Sequence, residues 1–122
     1  MQKISFEAFE KMMLYDVVKN HACIEVEFSV DGDPAYDGCY LGKTVDKATH
    51  QCAYWYGLAE DGSQAYDYDN PEAFVNAKVF HGRSIKQLWS RISIFSIDAC
   101  PVEERLPFFL GLADGPRFGP AS

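Results

Sequence analysis

A chain of 122 residues, 48% of them hydrophobic, is long enough to bury roughly two thirds of its unfolded surface around one core. Its aromatic content of 15% excludes wholesale disorder, and a formal charge of -7 counts against binding to a phosphate backbone, which draws its affinity from Lys and Arg. No run of about 18 apolar residues is available to cross a bilayer, and the start MQKISFEAFE lacks the basic and apolar regions of a secretory signal, so a small soluble cytoplasmic protein is expected.

In chain order, SFEAFEKMMLYDVVKN over 5–20 reads as a helix, with Phe6, Phe9, Met13 and Val17 on one stripe, Ser5 as N-cap and Asn20 as stop. The period then changes to two. In CIEVEFSV, Ile24, Val26, Phe28 and Val30 alternate with Glu25, Glu27 and Ser29, the pattern of a strand with one wet face. DGDPAYDG over 31–38 is a turn, CYLGKTV pairs back as a second strand, and QCAYWYGL makes a third that ends at the Asp61-Gly62 turn. A short fourth strand is predicted around QAYDY. Short connections between sequence neighbours favour an antiparallel meander.

Asn70-Pro71-Glu72 opens a short helix through about Ala77, as N-cap, first-position proline and first-turn carboxylate. Ser84 and Gln87 form a capping box that predicts a second helix, with Ile85, Leu88, Trp89 and Ile92 on its buried face. ISIFSI reverts to a strand. Beyond Cys100 the prolines at 101, 107, 116 and 120 and the glycines at 111, 115 and 119 predict an irregular arm over 101–122. The whole reads as one α+β domain over 1–122: a mainly antiparallel four- to five-stranded sheet, with an N-terminal helix and two short helices of the C-terminal half packed on one face.

Candidate chemistry begins with two His-x-Cys pairs, His21 with Cys23 and His50 with Cys52. Residues i and i+2 of a strand share a face, so two such strands in register would present four ligands to a tetrahedral zinc. Neither pair lies in the tight turn from which structural zinc draws its ligands, and Cys23 continues onto the face of Glu25 and Glu27 whereas Cys52 continues onto that of Tyr54 and Tyr56. The stronger expectation is no metal and no cofactor, with Cys52 a small core hydrophobe and the four cysteines, Cys23, Cys39, Cys52 and Cys100, kept as thiols. No phosphate-loop, dinucleotide, nucleophile-elbow or zincin motif is present, and Asp31, Asp33 and Asp37 lack the spacing of a calcium loop.

Charge carries more information. Between Lys19 and Lys43 the chain has Glu25, Glu27, Asp31, Asp33 and Asp37 and no base; between Lys47 and Lys78 it has Glu60, Asp61, Asp67, Asp69 and Glu72 and no base. Lys78 to Arg91 reverses this, with four bases and no acid. If the meander gathers the acidic stretches, they form one negative surface interleaved with Tyr36, Tyr66 and Tyr68, suited to a basic protein partner. The first expectation is therefore a non-catalytic protein-binding module. In size and acidity it resembles bacterial immunity proteins and other protein inhibitors, a likeness of bulk properties without an aligned motif. Two alternatives come from other classes: a small-ligand domain or minor enzyme, with Tyr54, Trp55, Tyr56 and Trp89 around a pocket near His50 and Cys52, and a self-associating structural protein, with LPFFLGL over 106–112 packing onto a second subunit.

Overall fold

Alternating apolar and polar residues need a sheet with one covered side, and the computed structural model, which describes residues 2–14, 23–59 and 61–111, is built on such a sheet. Its strands are β1 (Ile24–Val30), β2 (Cys39–Val45), β3 (Cys52–Gly57), β4 (Ala65–Tyr68) and β5 (Ile92–Ile97), in the spatial order β4-β3-β2-β1-β5. Every pairing is antiparallel. The helices are α1 (Phe6–Met13), α2 (Pro71–Asn76) and α3 (Val102–Phe109), so the α+β architecture is as expected from the sequence.

The register separates the two faces. Val26 lies opposite Leu41, Leu41 opposite Tyr56, and Tyr56 opposite Tyr66, while Ile92, Ile94 and Ile97 of β5 continue that face past β1. All three helices pack here. Phe74 of α2 stacks on Tyr56 at 4.4 Å between ring centroids and lies 6.5 Å from Phe9 of α1; Phe80 meets Phe28, Tyr36 and Tyr56 edge-on. The one polar atom that Tyr56 carries into this cluster is satisfied, because its hydroxyl donates to the Phe74 carbonyl at 2.7 Å.

Several local expectations change. Helix α1 closes at Leu14, whose N–H donates to the Glu10 carbonyl, and the remainder of the segment expected as helix, with Asn20, lies outside the described residues. The capping box forms as expected: the Ser84 N–H donates to Gln87 Oε1 at 2.9 Å and the Gln87 N–H to Ser84 Oγ at 3.1 Å. Yet the α-helix does not propagate. The chain makes a turn and a 3-10 segment at Trp89–Arg91, because tertiary anchors take over: the Trp89 indole donates to the Ile4 carbonyl at 2.8 Å and packs on Phe6 and Phe9, and Arg91 donates to the Asp31 carbonyl.

The expected irregular arm is instead helical over Val102–Phe109. Val102, Leu106 and Phe109 fall at i, i+4 and i+7 and give it an apolar stripe, and Arg105 spans from Asp98 (3.1 Å) to the rings of Phe108 and Phe109. Phe109 is therefore buried in its own core and Leu106 and Phe108 pack partly against it, while Leu110 is half-buried outside that cluster and Leu112 lies outside the described residues. Among the described residues, no helix is long and apolar enough to cross a membrane.

Candidate functional site

Because all three helices take one face of the sheet, the other face is left without a helix among the described residues. Its residues are those that alternate with the core: Glu25, Glu27 and Ser29 of β1, Tyr40, Gly42 and Thr44 of β2, Ala53, Trp55 and Gly57 of β3, Asp67 of β4, and Ser93 and Ser96 of β5, with Phe95 the extra residue at the bulge opposite Glu27 and Phe28. Among the described residues, Tyr40 and Phe95 are the large hydrophobic side chains left exposed, each at 40%. Trp55 is half-buried and lies across Gly42: a Cβ there would strike the Ile24 carbonyl oxygen and lie 2.5 Å from Trp55 Cζ2. Gly42 is thus a close-approach glycine that lets the indole settle on the strand.

Between Trp55 and the β1–β2 connection runs a groove of about 620 Å³, lined by Glu27, Asp37, Gly38, Tyr40, Trp55, Gly57, Leu58 and Ala59. One of its carboxylates is held in place. Ser29 Oγ donates to Asp37 Oδ1 at 2.8 Å and accepts the Gly38 N–H at 2.9 Å, so a buried hydroxyl orients an exposed acid. Glu27 makes no ion pair, and neither do Glu25, Asp67 or Asp69 among the described residues.

Antiparallel connectivity brings the β1–β2 and β3–β4 connections to the same end of the sheet, and with them Asp31, Asp33, Asp37 and Asp61. Of the two acidic stretches only these four, among the described residues, gather at that end, because Asp69 and Glu72 follow β4 at the opposite end of the sheet. Several of these acids also have local work. Asp33 caps the short 3-10 turn at Pro34–Tyr36 by accepting the Ala35 N–H, and Asp61 accepts from the Ser63 side chain and then from the Ser63 N–H, which together hold its carboxyl below the ordinary range. Asp31 accepts from Lys3 Nζ and, at 2.7 Å, from Ser93 Oγ; these two bonds depress its pKa in that order. Asp31 is thus a strand-end clasp rather than a free surface charge.

The tyrosines expected among the acids are not there. Tyr36 is only 2% exposed, packed against Phe80, and burial pushes its hydroxyl pKa up. Tyr66 and Tyr68 turn to the helix-covered face, Tyr68 against Tyr56 and Phe74, while Asp67 between them faces the open side. The aromatics that accompany the open-face acids are instead Tyr40, Trp55 and Phe95. Strand alternation was the signal that could have found them: Tyr40 sits opposite Glu27 in the β1–β2 register, and Trp55 opposite Asp67 in the β3–β4 register.

The alternative sites come apart in the same way. Tyr54 and Tyr56 are in the core, Trp55 is on the other face and Trp89 is packed on Phe6 and Phe9, so these four do not line one pocket. The two His-x-Cys segments belong to strands separated by β2, not paired in register. Cys23 is exposed before β1, Cys52 Sγ lies 4.0 Å from the His50 carbonyl oxygen, and His21 is outside the described residues. Among the described residues no cluster of His, Cys, Asp and Glu could hold a metal ion. Cys39 is buried with its thiol toward the Leu58 carbonyl, and burial raises its pKa to about 11, so it is an unreactive thiol at neutral pH.

Several of the bases are engaged away from the open face. Lys11 pairs with Glu7, Lys86 lies over the Phe6 ring and Arg105 is bound to Asp98, all on the helix side, while Lys43 is buried between Ile24 and Tyr54 on the covered face. None of these lends charge to the open face. No protein-family model, curated protein or solved structure matches the chain.

Proposed function

We propose that this protein is a non-catalytic binding module that docks a basic protein partner on the uncovered face of its sheet. One observation carries the reading: among the described residues, the face without helices combines carboxylates that make no ion pair, Glu25, Glu27 and Asp67, with the exposed or half-buried aromatics Tyr40, Trp55 and Phe95. Aromatics supply contact area at low entropic cost, and like-signed carboxylates around them steer an oppositely charged partner and reject acidic ones. The acids of the neighbouring sheet end, Asp33, Asp37 and Asp61, extend the same sign of charge. In its finer form the partner is a basic enzyme such as a nuclease and this chain is its inhibitor or immunity protein, which size and acidity support.

The test is retention of a basic partner from source-cell lysate by the immobilised protein, compared with the triple variant Glu25→Lys, Glu27→Lys, Asp67→Lys. The wild type is expected to retain a stoichiometric basic protein at low salt and release it at high salt, and the variant to retain none. Equal retention by the two proteins would overturn the open face as the docking surface.

A further inference from the structure

The groove beside Trp55 has a shape and charge that select one kind of side chain. We infer that it is the receptor for an arginine of the basic partner, the guanidinium stacking on the Trp55 indole and hydrogen-bonding to Glu27 and Asp37. This deepens the reading above and rests on it.

Three features point to a guanidinium. First, the walls differ in kind: Trp55, Tyr40, Leu58 and Gly57 are apolar or aromatic, and Glu27 and Asp37 are acidic, so a planar cation satisfies both at once where an apolar side chain would leave the carboxylates desolvated. Second, the site is arranged before binding. The indole is seated in the space over Gly42, and Ser29 Oγ, itself held by the Gly38 N–H, fixes the Asp37 carboxylate through Oδ1, leaving its second oxygen to accept from a ligand. Third, the chain itself supplies no occupant: among the described residues, no base pairs with Glu27 or Asp37. A second copy of this chain fits poorly as the partner, because apposed open faces would set Glu25, Glu27 and Asp67 against their own counterparts. Indole is the strongest cation-π acceptor among side chains, and the guanidinium combines stacking with bidentate bonding to a carboxylate, which an ammonium does not.

The test is heteronuclear NMR of the isotope-labelled full chain, titrated at low ionic strength with a hexa-arginine peptide and, in parallel, with hexa-lysine. The two tryptophans make an internal control, because the Trp89 indole is already bonded to the Ile4 carbonyl. The Trp55 indole N–H should shift saturably with hexa-arginine while that of Trp89 stays in place, and hexa-lysine should bind about tenfold more weakly. Glu27→Gln, an isosteric change on an exposed face, should weaken hexa-arginine by a similar factor, and Trp55→Phe should reduce it less than Trp55→Ala. An equal response to the two peptides overturns the guanidinium assignment. Shifts confined to the loops of Asp33 and Asp61, with Trp55 unmoved, overturn the groove but leave the basic-partner reading standing. An absence of shifts anywhere overturns both.

Discussion

Asp98 and Ala99 stand in the left-handed region, at φ 54° and 62°, where most side chains crowd their own backbone. They are the two central residues of a tight turn closed by reciprocal bonds between Ile97 and Cys100, at 3.0 and 2.9 Å. Both central positions of such a hairpin demand positive φ, and Asn-Gly or Asp-Gly is the pair that best supplies it. Asp98 belongs there for a second reason. Its Oδ1 accepts the Glu25 N–H at 2.9 Å and its Oδ2 accepts Arg105 Nε at 3.1 Å, so one carboxylate joins β1, the end of β5 and α3. Ala99 has an exposed methyl and no such compensation. Ala99→Gly should therefore raise stability by about 0.5–1 kcal/mol, the relief of left-handed strain less the extra entropy that glycine gives the unfolded chain. Urea denaturation measures it; a lower midpoint would show that the alanine is unstrained.

The same turn launches α3, the element that local punctuation in the sequence concealed. Pro101, Pro107 and the downstream glycines read as loop residues, but Pro101 stands immediately before the first helical residue, where its missing N–H costs nothing, and Glu103 and Glu104 favour the first turn. The stripe of Val102, Leu106 and Phe109 was legible and outweighs the interior Pro107, because Phe109 is buried at 2% exposure. The reverse failure occurs at Ser84, where a capping box is present and the α-helix is not: a cap stabilises a first turn, while Trp89 and Arg91 are held by partners distant in sequence. Strands were easier to read because alternation over β1 and β3 fixes their faces, but that no helix of the described residues covers one of those faces is a property of topology that no local window contains. Phe109→Ala should cost about 3 kcal/mol by chemical denaturation, as for a buried ring. A loss under about 1 kcal/mol, the scale of a surface substitution, would show that α3 does not dock as described.

At the scale of the whole molecule, acidity serves two ends that pH should separate. Asp31, Asp46 and Asp61 hold chain reversals by accepting bonds from Lys3 and Ser93, from the Thr49 and Ala48 N–H groups, and from Ser63, and each has its pKa lowered from 3.8 by those bonds. A carboxyl with a folded pKa below its unfolded one adds stability that is fully present above the unfolded value and is lost as pH falls through the folded one. Stability should thus be level from neutrality down to the unfolded carboxylate range and then decline below 3.8. Asp46 and Asp61 are exposed and Asp31 is half-exposed, so the decline should be gradual. Thermal unfolding followed between neutrality and strong acid tests this, with Asp31→Asn as the comparison: the variant should be less stable than the wild type at neutral pH and the two should converge in acid. A gap that persists in acid would mean that Asp31 acts through its shape and hydrogen bonds rather than its charge. The carboxylates of the open face, Glu25, Glu27 and Asp67, make no such bonds among the described residues, so reversing their charge should leave this acid profile in place while abolishing capture of a basic partner. An acid profile altered along with binding would show that the open-face acids support the fold as well as the partner.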